Sequence, residues 1–212
     1  MNLPEGVRLG ANCIVQVNVV LGAGKRELGD LVIGDNAIIR SGAVLYYGTT
    51  IGNDCKIGHN AVVREKNNLG KNVSIGSNTE LAPGNTIGDN TSIHGSCFLE
   101  ATAIGEYCFI APGVKFLDDK TPVEPRQEYW KGATVGNDVC IGGGSVIGPG
   151  VIIGDRVLVG MGSVVTKNIS AGEVWAGNPA RFMKKTEDVL YINSTTPYLP
   201  GNRMRYQNKM PK

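Results

Sequence analysis

The chemistry open to this chain rests on a handful of side chains. Histidine occurs twice, at His59 and His94. Near neutral pH an imidazole takes a proton from a hydroxyl or an amine, which makes both candidate catalytic bases. Three carboxylates, Glu100, Asp118 and Asp119, are candidates for anchoring a substrate ammonium or receiving its proton. Lys167, Arg181, Lys184 and Lys185 form a cationic C-terminal group suited to phosphate. Tyr129 and Trp130 offer ring faces to a nucleotide base, although packing a loop onto its neighbours is the expected role. Each of these residues also has a plainer role open to it. A corner histidine can simply bond backbone or water, a loop carboxylate can be solvated, and a basic end can be only a basic end.

What must position these residues is a repeat. Stepping by six from Ile33 meets Ile39, Leu45, Ile51, Ile57, Val63, Leu69, Ile75, Leu81, Ile87, Ile93 and Leu99, all of them Ile, Leu or Val. The next residue is usually glycine, as at Gly34, Gly52, Gly58, Gly70, Gly76 and Gly88. Four residues after the aliphatic one sits something small, as at Ala37, Ala43, Cys55, Ala61, Thr79 and Cys97. A period of six is three strand alternations, so short strands separated by corners bring every sixth side chain inward. Three hexads close one triangular coil, and stacked coils share a core that no coil buries alone. His59 is third in the hexad that begins at Ile57, and His94 is second in the one that begins at Ile93. Those hexads lie two coils apart, so the histidines share one face of the prism, roughly 10 Å apart along its axis. That separation is too large for one dyad within a chain.

The count slips after Leu99, where Ile104, Ile110 and Phe116 run one residue early. Residues 117–132 leave the pattern, and hexads resume at Val135, Ile141, Ile147, Ile153, Val159 and Val165. An earlier break covers residues 22–30. Both read as loops extruded from a coil corner, where function tends to sit on a repeat scaffold. The repeat is expected to end near Trp175. Asn178-Pro179 then reads as a helix start, with residues 182, 183, 186, 189 and 190 on one amphipathic face. A β-helix domain over 1–178 followed by a helix and irregular tail over 179–212 is therefore expected.

Composition narrows the classes. The 30 glycines argue against long helices, since each interior Gly costs about 1 kcal/mol against Ala. Five cysteines, an odd number with no CxxC pair, argue against a disulfide framework or a zinc cluster. Four of them, Cys13, Cys55, Cys97 and Cys108, fall in the small slot of the repeat. A net charge of +2 without a basic stripe gives no reason to expect nucleic acid. No apolar run approaches the ~20 residues of a membrane span, and the first residues carry no secretory apolar segment. A soluble cytoplasmic protein is expected.

These features resemble the hexapeptide-repeat acyltransferases over nearly the whole chain. The resemblance is most specific in the C-terminal half, where GSVVTK and GNPAR mark acetyl-CoA-dependent members. It implies an all-β, left-handed parallel β-helix; the handedness comes from the resemblance, because periodicity is silent on it. It also implies acetyl-CoA as cosubstrate, no metal, and a homotrimer with active sites between subunits. On the same basis Gly142, Gly160 and Ser163 stand where the pantetheine arm approaches the backbone, with Lys167, Arg181 and Lys184 toward the phosphates. The segments FIAPGVKFLDDKTP and IGHNAVVRE are similar to stretches in enzymes that N-acetylate amino sugars on nucleotide carriers. Asp118 and Asp119 stand where those enzymes usually carry Asn-Asp. The activity so implied is acetylation of the amino group of a nucleotide-linked amino deoxy sugar, a precursor of cell-surface polysaccharide such as lipopolysaccharide. A sugar O-acetyltransferase of the same fold is the first alternative, but its histidine normally lies in the loop that here reads DDKTPVEPR. A γ-type carbonic anhydrase needs three zinc-binding histidines, and this chain has two. A non-catalytic scaffold subunit is opposed by the intact GSVVTK and GNPAR elements.

Overall fold

In the computed structural model, which describes residues 3–122, 126–190 and 198–203, each aliphatic residue of the repeat lies in a short strand, nearly always as its last residue, and turns inward. Ile39, Leu45, Ile57, Val63, Leu81 and Leu99 are completely buried. Successive coils pair in parallel and in register, Ile33 against Ile51, Ile51 against Leu69, and Leu69 against Ile87. Among the described residues the strands form three sheets of eight, ten and eight strands, which wall a triangular prism. We call them A, B and C in the order the chain visits them. Sheet A holds Thr50–Ile51, sheet B holds Lys56–Ile57, and sheet C holds Val62–Val63.

The corners explain the glycine and asparagine. Each turns through one residue of left-handed backbone, such as Asn36 (φ 57°), Asn60 (φ 53°), Asn78 (φ 56°) or Gly84 (φ 86°). Asn and Gly visit that region at least cost. The glycine directly after the aliphatic residue answers to a different demand. A Cβ on Gly58 would stand 2.5 Å from the Ser77 nitrogen of the coil above. Small-slot residues also do more than fill space. Cys55, Thr79, Cys97 and Ser145 donate to corner carbonyls of the next coil at 3.1, 2.8, 3.3 and 3.1 Å. The fifth cysteine, Cys140, lies outside this slot, on the outer side of sheet B.

The slip after Leu99 is a corner one residue short. Glu100, Ala101 and Thr102 span it, and Ile87 pairs with Ile104. Both extruded loops leave from the edge between sheets C and A, one after Val20–Ala23 and one after Lys115–Phe116. Two buried asparagines fix that edge from inside. Asn67 donates to the carbonyls of Arg64 (2.8 Å) and Ala82 (3.1 Å). Asn85 donates to Ala82 O (2.6 Å) and Asn67 Oδ1 (2.9 Å) and accepts the Thr102 N–H (2.8 Å).

The expected C-terminal helix is not formed. Ala180–Lys185 is a strand, antiparallel to Glu173–Gly177, and a single 3-10 turn follows at Thr186–Asp188. Glu173–Gly177 ends sheet B and leaves a row of backbone groups open, which the returning chain pairs. The apparent amphipathic face had nothing to pack on, since Phe182 and Met183 are 49% and 62% exposed. Residues 198–203 lie back along the edge between sheets A and B. Asn202 is buried there and donates to Cys108 O (2.9 Å). Arg203 forks onto Asp138 at 2.7 and 2.8 Å and covers the Tyr107 ring. The rest of the expected tail falls outside the described residues. No described helix is long and apolar enough to cross a membrane.

Asn85 makes several bonds while fully buried, so Asn85→Ala takes one donor from Ala82 O and from Leu99 O and leaves the Thr102 N–H without its side-chain acceptor. Urea unfolding should record a loss of about 2–3 kcal/mol. A change below about 0.5 kcal/mol would contradict this account of the edge.

Candidate active site

The edge between sheets B and C carries the histidines. His94 stands in the vertical column of Gly58 and Gly76, and Gly142 and Gly160 continue that column upward, each N–H bonding the strand above. The two sets of candidates, bases and cofactor contacts, therefore share one edge. His59 occupies the adjacent column, between Ser41 below and Ser77 above. Its Nδ1 lies 2.8 Å from Ser41 Oγ, and its backbone N–H donates to Ser77 Oγ at 3.2 Å. The imidazole is exposed, with Nδ1 engaged by Ser41. Ser41 escaped the sequence reading, although it stands one coil, 18 residues, before His59. The His94 ring is half-buried against Phe109, with centroids 4.6 Å apart and a tilt of 53°.

Glycine along the upper part of this edge is required by stacking. A Cβ on Gly160 would lie 2.9 Å from Ala176 Cβ, and one on Gly142 would meet the Met161 nitrogen. Ser163 is buried, and its hydroxyl is committed, donating to Gly160 O (2.6 Å) and accepting the Gly177 N–H (3.2 Å). The cations do not form one group. Arg181 pairs across the hairpin with Ala176, at the top of the histidine edge. Lys184 pairs with Val174 toward the opposite side, and Lys185 is tied to Glu173 at 2.9 Å. Lys167 follows the sheet C strand Val164–Val165 and so sits at the edge between sheets C and A.

The carboxylates gather at that same C–A edge. A groove of about 600 Å³ opens there, lined by Glu65, Glu80, Phe98, Glu100, Asp118 and Trp130. Burial and the hydrogen-bonded, negatively charged Asp118 push the Glu100 carboxyl up to about 7. Asp118 is held in place by the loop closing on itself, with the Lys131 N–H on its carbonyl at 2.7 Å. Asp119 is turned elsewhere. Its Oδ1 accepts the Thr121 N–H at 2.7 Å, and it lines a separate depression with Lys120, Arg126 and Tyr129. Tyr129 is 59% exposed under the Arg126 guanidinium, and Trp130, 42% exposed, walls the groove beside Phe98. A carboxyl poised near 7 is well matched to taking a proton from an ammonium at neutral pH. His94 and Glu100 belong to the same coil, at the two edges that flank the outer face of sheet C.

Comparison with known proteins agrees with the repeat. The bacterial transferase hexapeptide (six repeats) family matches residues 30–65 and 132–167, and the hexapeptide repeat of succinyl-transferase matches residues 3–23. A putative acetyltransferase of Dictyostelium discoideum is 39% identical over 98 residues, 43% of this chain and 52% of that protein. A probable macrolide acetyltransferase of Lysinibacillus sphaericus is 32% identical over 105 residues, 39% of this chain and 58% of that protein. The chain thus spans a little over half the length of these two curated relatives. The UDP-N-acetylglucosamine acyltransferase from Campylobacter jejuni shares the fold, with a TM-score of 0.58 at 15% identity, covering 81% of this chain and 74% of that one.

The raised Glu100 carboxyl has a consequence for stability. Unfolded, the group titrates near its ordinary 4.5; folded, it holds its proton to about 7. The protonated folded form is favoured at low pH, and that advantage is lost as pH rises through the folded value. Melting temperature should therefore fall between about pH 5 and about pH 7.5 relative to Glu100→Gln, measured in matched buffers. Parallel curves for the two proteins would contradict the shared proton.

Proposed function

Because the chain is a hexapeptide-repeat protein with a left-handed β-helix fold, we propose that it is an acetyl-CoA-dependent acyltransferase. Its acceptor is the amino group of a nucleotide-linked amino deoxy sugar, and it works as a homotrimer. The observation that carries this reading is one of level. His94 and Glu100 lie in the same coil but at opposite edges of sheet C, so a single chain keeps the base and the acceptor carboxylates apart. Three copies arranged with sheet C inward would bring the B–C edge of one against the C–A edge of the next, the head-to-tail contact of a closed ring. The outer face of sheet C suits burial. It presents Val44, Val62, Phe98, Val146 and Val164, all half-buried, with Glu80 and Lys115 as its charged members.

The same edge offers a track for the cosubstrate. With the CoA phosphates at Arg181, the pantetheine arm would descend past Gly160 and Gly142 to His94. From Ala176, the partner of Arg181, that path covers four coils, or about 19 Å at ~4.8 Å per coil. His59 lies two coils further down, so His94 is the base at the level of the thioester. The acceptor ammonium gives one proton to the Glu100–Asp118 pair. The freed amine attacks the thioester carbonyl, and a corner backbone N–H steadies the oxyanion. His94 takes the second amine proton and returns it to the departing CoA thiolate.

His94→Ala and Glu100→Gln should each lower kcat about 100-fold when assayed alone. Unfolded together and refolded as a mixture, they should recover about a quarter of wild-type activity, because random rings hold that share of intact sites. No recovery would place both residues in one chain's site. CoA at about 100 times its Kd should also raise stability by about 2.7 kcal/mol; no stabilisation would favour a scaffold over an enzyme.

A further inference from the structure

The carboxylate groove does not end at Glu65. A second hollow of about 380 Å³ adjoins it along the C–A edge and shares Arg64 and Glu65 as lining. Its other walls include Lys25 from the first loop and the rings of Tyr46 and Tyr47. The two hollows form one trough between the two extruded loops, and its charge is divided. Lys25 and Arg64 lie toward one end, and Glu80, Glu100 and Asp118 toward the other. Glu65 holds the Arg64 guanidinium through Nε (3.3 Å) and Nη2 (3.1 Å), which orients it, and among the described residues the Nη1 donors are unspent. The guanidinium carbon also lies 5.8 Å from the Tyr46 ring centroid, so cation and aromatic face adjoin.

Coil spacing sets the distances a ligand must match. Glu100 and Arg64 are two coils apart, and Tyr46 is one coil below Arg64. At ~4.8 Å per coil these are about 10 Å and about 5 Å along the axis. A molecule with an ammonium at one end, phosphate near its middle and a flat ring beyond fits this order. We propose that the trough is the acceptor site, taking a nucleoside diphosphate amino sugar with its ammonium toward Glu100 and Asp118, its diphosphate at Arg64 and Lys25, and its base against Tyr46. This assignment rests on the transferase reading and adds to it the residues that select a nucleotide-linked acceptor over a free amino sugar. Arg64 is the main phosphate contact, since a guanidinium recognises phosphate oxygens in a fixed geometry. His59, level with Arg64, then faces the phosphate region of an acceptor held on the neighbouring copy rather than the thioester.

The test is calorimetric titration of UDP and dTDP, alongside CoA, into the wild type, Arg64→Gln and Tyr46→Leu. At least one nucleoside diphosphate should bind the wild type, Arg64→Gln should weaken it at least tenfold, and Tyr46→Leu should weaken it several-fold. CoA affinity should be unchanged in both variants. Nucleotide affinity that is unchanged in both variants overturns the assignment. Failure of UDP and dTDP to bind the wild type while CoA binds overturns it too but leaves the transferase reading standing. Failure of CoA to bind strikes that reading, and the acceptor assignment falls with it. The Tyr46 variant keeps the test decisive if loss of Arg64 disturbs the fold by exposing Glu65.

Discussion

Everything in this molecule follows from parallel strands that must stack in register, one coil on the next. Strand N–H groups of one coil bond carbonyls of the following coil, as His94 N with Ile110 O or Gly142 N with Val159 O, and left-handed corner residues donate back to the preceding coil, as Asn78 N to His59 O. An inward aliphatic residue, a left-handed corner residue and a small residue under the next corner are therefore demanded again and again at fixed spacing. The same constraint turns sequence positions into vertical columns, so a side chain's height and edge are set by counting.

The three edges then differ in what the repeat permits. At the A–B edge Asp and Asn side chains cap backbone N–H groups of the preceding coil, as Asp35 does for Ala11 (2.7 Å) and Asp155 for Asn137 (2.7 Å), and residues 198–203 cover part of it. The B–C edge carries the histidines and a run of glycine that keeps backbone accessible. The C–A edge is where the chain departs from the repeat, through two loops and a shortened corner, and where carboxylates crowd closely enough to share a proton. Buried Asn67 and Asn85 tie this irregular edge to the regular core, because they bond its carbonyls from inside and Asn85 accepts the Thr102 N–H of the shortened corner.

Much of this could be read from residue types alone. The inward positions, the slip after Leu99, both loops and the shared face of His59 and His94 come straight from counting in sixes, since strand pairing leaves no freedom there. The pairing of Glu100 with Asp118, in preference to Asp119, was not legible, because it depends on how the loop closes through Lys131. Ser41 and Arg64 were missed for another reason: their roles come from neighbours one coil away or across a corner, which a linear scan passes over unless columns are compared. The C-terminal helix was a misreading of periodicity. An open sheet edge offered Ala180–Lys185 backbone partners that no helix could match.

The central claim is that acyl transfer occurs where the histidine edge of one copy meets the carboxylate groove of the next. A crystal structure of the protein with CoA bound tests this most directly. The account predicts a three-fold ring with sheet C inward, the pantetheine arm along Gly160 and Gly142, and its thiol between His94 and the neighbouring copy's Glu100. A monomeric CoA complex, or a ring closed through sheet A or B with the thiol remote from both residues, would contradict it.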